Sequence, residues 1–146
     1  ATHLSVYGSD PDSYGSNPAR LELNEVEKAN FSQSGIWNHT HPTSTVFSVG
    51  DSGNTNGSGE NLIAYLFATV AGVSKVGSFT QSGATNVDCG FTGNTPSFIL
   101  LKRVDANSGN WLVFDSERGI VAGNDPYMKL DTTDAEVTNA DIVDLY

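Results

Sequence analysis

Apolar residues in this chain come in short runs, each cut by a cluster of Gly, Asn, Asp, Ser or Pro. That is the grammar of an antiparallel β protein. Leu4 to Tyr7 reads as a short strand. Gly8 to Asn17 follows as a loop with Asp-Pro-Asp and Gly-Ser-Asn-Pro turn signals. Leu21 and Leu23 flank Glu22, the alternation of a half-buried strand. Asn24 to Asn30 fits one helical turn or a loop, Val46 to Val49 a strand, and Asp51 to Glu60 an exposed loop. Leu62 to Val70 is apolar on both faces, with Leu62, Ala64, Leu66, Ala68 and Val70 on one and Ile63, Tyr65 and Phe67 on the other. A strand apolar on both sides belongs in the middle of a covered sheet. Its Tyr, Phe, Ile and Val favour strand over helix. Phe98 to Val104 has the same character. Lys75 to Thr80, Asn86 to Phe91, Trp111 to Phe114 and Tyr127 to Leu130 bring the set to about ten short strands. The expected fold class is all-β: an antiparallel β-sandwich of jelly-roll or concanavalin-A-like form.

A faint internal echo runs through this pattern. A shift of 107 residues lays Leu4-Ser5-Val6-Tyr7 on Trp111-Leu112-Val113-Phe114 and Leu21-Glu22-Leu23-Asn24 on Met128-Lys129-Leu130-Asp131. It also lays Asn17 on Asn124. Repeated β units are how fibrous proteins gain length. At 146 residues the expectation is a single β-sandwich domain over 1–146, with half-units of about 1–80 and 81–146. Asp141 to Tyr146 reads as a strand cut off in progress, so a processed chain or a fragment of a longer tandem-repeat protein is expected. Leu4, Val6 and Tyr7, or Ile142, Val143 and Leu145, are the candidate edge strands that one copy would lend to another.

Composition narrows the partners. Hydrophobic content of 38%, with seven Phe, five Tyr and two Trp, supports a folded core. A net charge of -10 with only seven Lys and Arg argues against nucleic acid and anionic membrane surfaces. No apolar run approaches the roughly 20 residues that span a bilayer. Cys89 stands alone, so no internal disulfide forms, and it reads as a small apolar residue in a strand.

Several constellations invite chemistry, and each has a plainer reading. Gly50-Asp51-Ser52-Gly53 looks like the nucleophile loop of a chymotrypsin-like protease. Such a serine needs a base and an orienting carboxylate. His3, His39 and His41 lack the expected surroundings, and a turn is the expectation. His39-Thr40-His41 would place two imidazoles on one face of a strand, within reach of a shared metal. No third ligand is evident, and a polar strand edge before Pro42 is expected. Asp10, Asp12, Asp131, Asp134, Asp141 and Asp144 lie in loops. Solvated acidic loops with no cofactor are the expectation; loop calcium is the alternative they admit, though none matches the spacing of an EF-hand. Trp37, Trp111, Tyr65 and Tyr127 are expected in the core, and Tyr14 is the aromatic best placed for stacking on a sugar. Asn30, Asn38 and Asn56 head glycosylation triplets.

The segments Ile63-Ala64-Tyr65-Leu66-Phe67-Ala68, Gly72 to Thr80, Cys89-Gly90-Phe91-Thr92-Gly93 and Ile99 to Arg103 form an ordered series. Trp111 to Gly119, Ala122 to Tyr127 and Asp134-Ala135-Glu136 continue it, and Trp37 to Gly50 precedes it. This series resembles an uncharacterised family of repeated β domains in structural proteins of tailed phages, many of them marine. The likeness implies a non-enzymatic virion structural protein, extracellular, of tail-fibre or appendage type. Its partners would be further copies of itself, other virion proteins and a host surface glycan. It brings no active site with it. The alternatives are a subunit of a free extracellular filament built by strand exchange, and a glycan-binding module.

Overall fold

The computed structural model of the chain describes residues 5–8, 19–28, 30, 34–93 and 95–144. β1 (Ser5–Gly8) and β2 (Ala19–Glu22) pair antiparallel, with Ser5 opposite Glu22 and Val6 opposite Leu21. Two single helical turns follow, α1 (Ser34–Trp37) and α2 (Gly53–Asn56). β3 (Phe98–Lys102), β4 (Trp111–Asp115) and β5 (Met128–Lys129) make a three-stranded sheet with β4 in the middle. β4 and β5 run antiparallel, with Leu112 opposite Lys129 and Val113 opposite Met128. The Leu130 amide donates to the Trp111 carbonyl at 3.0 Å and carries the ladder one step further. The described residues are therefore richer in strand than in helix, and both registered pairings are antiparallel.

β4 forms where the sequence is densest in strand formers, Trp-Leu-Val-Phe. Trp111, Val113 and Phe114 are buried, and Leu112 is half-buried. The strand stops at Asp115 because that carboxylate captures the next turn. Its Oδ1 accepts from the amides of Glu117 at 3.1 Å and Arg118 at 3.0 Å. A short acidic side chain that satisfies backbone donors two and three residues on is a turn-former. Gly119 then takes a φ of 105°, open to glycine and strained for other residues.

The two hairpins share one register. Adding 107 to both members of Ser5↔Glu22 gives Leu112↔Lys129, and adding it to both members of Val6↔Leu21 gives Val113↔Met128. The Trp111 indole N–H donates to the Glu22 carbonyl at 2.8 Å, linking the second hairpin to the end of the first.

Several expected strands are absent. Leu62 to Val70 makes no ladder, and Val70 has only an isolated bridge to Ser74. Its side chains are exposed, Ile63 at 81% and Phe67 at 82%. At its C-terminal end, hydroxyls take backbone groups that a ladder would use. Thr69 Oγ1 accepts from the Val76 amide and donates to the Val76 carbonyl, both at 3.1 Å. Ser74 Oγ donates to the Ala68 carbonyl at 2.5 Å. Such bonds compete with sheet pairing. Val46 to Val49 is no strand because Thr43 bonds across to Val46. Lys75 to Thr80 joins no ladder, and Asn86 to Phe91 is broken by Asp88, which accepts from the Gly90 amide at 2.8 Å. Cys89 is thus half-buried in a turn region rather than a strand. Phe98 to Val104 does form β3, but at the flank of its sheet, and β4 is the central strand instead. The expected strand at 141–144 is also missing. Asn24 to Lys28 is a loop, and beyond it Arg20 and Asn30 exchange backbone bonds of 2.9 Å.

Contacts divide the chain into two compact units. One comprises Ala1–Leu62, Leu100–Val113 and Met128–Glu136, the other Ile63–Ile99, Phe114–Tyr127 and Val137–Tyr146. Leu21, Ile36, Trp111 and Val113 are the buried apolar residues of the first, and Phe114 and Ile120 those of the second. In the second, the Phe114 and Tyr127 rings meet at 5.5 Å and 44°, a tilted aromatic pair.

Candidate functional site

The most unusual side chain described is Asp125, a carboxylate with 0% exposure. It sits in Val121-Ala122-Gly123-Asn124-Asp125-Pro126-Tyr127, a stretch closed by a Val121–Asn124 bridge. This stretch is laced to residues 137–143. Tyr127 and Val137 exchange backbone bonds of 3.0 Å, and the Asp125 amide donates to the Ala140 carbonyl at 2.5 Å. Asn124 Oδ1 accepts from the Ala140 amide at 3.3 Å. Asp125 Oδ2 accepts from the amides of Ile142 at 3.0 Å and Val143 at 2.9 Å. Asp125 Oδ1 is buried and takes no hydrogen bond. Asp125, Asp141 and Asp144 each present a carboxylate oxygen within 4.8 Å of the other two. This is the group of potential metal ligands found among the described residues.

The other acids have partners of their own. Asp131 accepts from the Asn110 side-chain amide at 3.1 Å and the Trp111 amide at 3.3 Å, and so fixes the entry to β4. Asp134 accepts from Lys129 Nζ at 2.8 Å. The lysine hydrogen bond holds the Asp134 carboxyl below its ordinary pKa. Lys102 donates to the carbonyls of Glu25 at 3.0 Å and Gly109 at 2.6 Å, and its ammonium lies 5.8 Å from the Trp111 ring centroid. Partial burial pushes the Lys102 pKa down, and the Asp131 charge partly opposes this. Asp10 and Asp12 lie outside the described residues.

The Gly35–Asn56 corner holds the remaining candidates. The amides of Gly50 and Ser52 donate to the carbonyls of Ile36 and Gly35 at 2.8 and 3.0 Å. A Cβ on Gly50 would strike the Gly35 carbonyl, so only glycine lets these strands of backbone approach. Ser52 Oγ caps α2 by accepting from the Asn54 amide at 3.3 Å, the role of an N-cap serine. The expected exposed loop at Asp51–Glu60 therefore contains α2, with Thr55 buried and donating to the Ile36 carbonyl at 3.3 Å. His39 lies in a turn with a φ of 51°, so the histidine pair does not share a strand face. Asn38 is exposed, Asn30 is half-buried, and the Asn56 side-chain amide donates to the Gly50 carbonyl at 3.1 Å.

Among the candidate lent strands, Val6 and Tyr7 lie in β1, already paired to β2. Ile142 and Val143 are outside any strand and give their amides to Asp125. Leu4, Leu145 and Tyr14 lie outside the described residues. Of the aromatics, Trp111 is buried and Trp37 and Tyr127 are half-buried, whereas Tyr65 is exposed rather than in the core. The structure joins Asp141 and Asp144 through a residue that the reading of the acids passed over, Asp125. The signal was the Gly-Asn-Asp-Pro turn around it and the three-residue spacing of Asp141 and Asp144. No described helix is long and apolar enough to cross a membrane.

What fold and site define is a β-rich domain with an acidic, loop-borne cluster. Residues 9–146 match the sequence profile of the family described as Domain of unknown function (DUF7483), and the chain belongs to that family. No curated protein and no solved structure matches the chain.

Proposed function

We propose that this chain is a non-enzymatic structural module of a virion appendage or fibre, working outside the cell. It assembles with further copies of itself and with other virion proteins, and turns its polar loops toward a host surface glycan. The observation that carries this reading is the exposed apolar tract in the unit containing Ile63–Ile99. Ile63, Tyr65, Leu66, Phe67 and Val73 are each more than two-thirds exposed. Exposed apolar surface on this scale marks an interaction site. Burial against a neighbour contributes about 25 cal/mol for each Å² removed from water.

The sequence from Leu62 to Val70 has the residues of a central strand and lacks a partner strand. A neighbouring copy that supplies one completes an antiparallel sandwich of jelly-roll form. The shared register of the two hairpins supports a module that recurs along the chain.

The test is sedimentation velocity of the full chain across a concentration series, beside Ile63→Ser and Phe67→Ser. Concentration-dependent assembly that weakens in both variants supports the reading. A wild-type chain that stays monomeric throughout sinks it. Electron microscopy of the native assembly then decides between a capsid-borne appendage and a free filament built by strand exchange.

A further inference from the structure

A carboxylate oxygen buried with no donor is costly to leave unsatisfied. Asp125 Oδ1 is in that position, on a side chain with 0% exposure. Its sister oxygen is already committed to the Ile142 and Val143 amides. Hence the protein has spent its nearby backbone donors on Oδ2 and supplies none to Oδ1. At the same spot, Asp141 and Asp144 bring carboxylate oxygens within 4.8 Å of one from Asp125. Three like charges at that separation repel one another, more strongly where water is excluded. A cation among them offsets that repulsion and gives the buried Asp125 carboxylate a counter-charge.

We propose that Asp125, Asp141 and Asp144 form a calcium site. The donors are all oxygens, which selects a hard cation over zinc or copper. Two oxygens bound to one calcium at about 2.3–2.6 Å lie no more than about 5 Å apart, and the three carboxylates meet that limit. They come from two irregular stretches of backbone rather than one rigid element. Calcium tolerates such geometry, whereas magnesium demands a near-ideal octahedron. Three protein oxygens leave the remaining positions to water and carbonyls.

Bound there, the ion fastens residues 140–144 to the loop at 121–127. The Ile142 and Val143 amides already converge on Asp125, so the ion and the hydrogen bonds act on the same segment. The inference stands on this geometry alone and does not rest on the proposed virion role.

The test is calorimetric titration of the full chain with calcium chloride, in parallel with Asp141→Asn, Asp144→Asn and Asp134→Asn. The last alters an acid that is paired with Lys129 and is not a member of the cluster. One saturable site is expected, with a dissociation constant of roughly 10⁻⁴–10⁻³ M, the weak end of the calcium range, since the protein supplies only three carboxylates. Asp141→Asn and Asp144→Asn should each weaken it by about tenfold or more, and Asp134→Asn should leave it unchanged. Absence of saturable binding overturns the proposal. So does equal weakening by all three variants, which marks a diffuse acidic surface.

Hydrogen exchange gives a second reading that needs no variant. Calcium should slow exchange at the Ile142 and Val143 amides relative to chelator. Unchanged exchange at those amides under saturating calcium overturns the site even if ions bind elsewhere. Displacement of calcium by equimolar magnesium overturns the assignment of the metal.

Discussion

Residues 60–90 and residues 110–130 are both rich in Val, Leu, Phe and aromatic side chains. In the first tract Leu62, Ile63, Tyr65, Leu66, Phe67, Val70, Val73 and Val76 are all exposed, and no strand forms. In the second Trp111, Val113 and Phe114 are buried within β4. The difference lies in what holds the backbone. Around β4, carboxylates fix both ends, with Asp131 at the Trp111 amide and Asp115 at the amides of Glu117 and Arg118. In the apolar tract the anchors are hydroxyls, Thr69 and Ser74, and they fold the chain back on itself. Apolar content supplies the drive to bury surface, and backbone anchors decide whether a strand is there to bury it.

Truncation at matched positions is the strongest way to break this contrast. Trp111→Ala should cost about 3–5 kcal/mol, from lost packing and the lost indole hydrogen bond to the Glu22 carbonyl. Phe67→Ala, at 82% exposure, should move the stability of the monomer by no more than about 0.5 kcal/mol. Urea unfolding of both decides it, and comparable losses would erase the distinction. The anchors come next. Asp115→Ala removes the carboxylate that accepts from two backbone amides and pairs with Arg118, and should cost about 1–2 kcal/mol. Thr69→Val should cost about 0.5 kcal/mol or less in the same assay.

The smallest effect concerns Asp134, whose carboxyl Lys129 holds below its ordinary pKa. A folded-state pKa below the unfolded one stabilises the fold at pH above the unfolded value. That contribution fades as pH falls through the lower, folded value. The group is exposed, so its share in stability is slight. An NMR titration should show the Asp134 carboxyl moving up toward 3.8 in Lys129→Met. No movement would mean that the ion pair does not form in solution.

The sequence pattern anticipated the strands that pair with a neighbour in the chain, Phe98 to Val104 as β3 among them. Leu4 to Tyr7, Leu21 with Leu23, Trp111 to Phe114 and Tyr127 to Leu130 all fall on or beside β1, β2, β4 and β5. Leu62 to Val70 misled because side-chain periodicity says which faces are apolar and nothing about whether a partner backbone arrives. Ser52 was legible as a turn residue, and its role as the cap of α2 follows from its place before Gly53. Asp125 was hidden for a different reason. Loop acids look alike in sequence, and burial is what sets this one apart. That burial comes from residues 137–143 folding over it, a contact between segments that no local pattern encodes.

Trp111 carries a practical consequence. Both tryptophans of the chain, Trp37 and Trp111, fall in the unit containing Ala1–Leu62, and the unit with Asp125 has none. Intrinsic indole emission therefore watches one half of the molecule and is blind to the other. Tyr127 is close in sequence to Asp125 and can serve as the antenna for a luminescent lanthanide in the second unit. An event confined to the first unit can be followed by its indoles, without any dye.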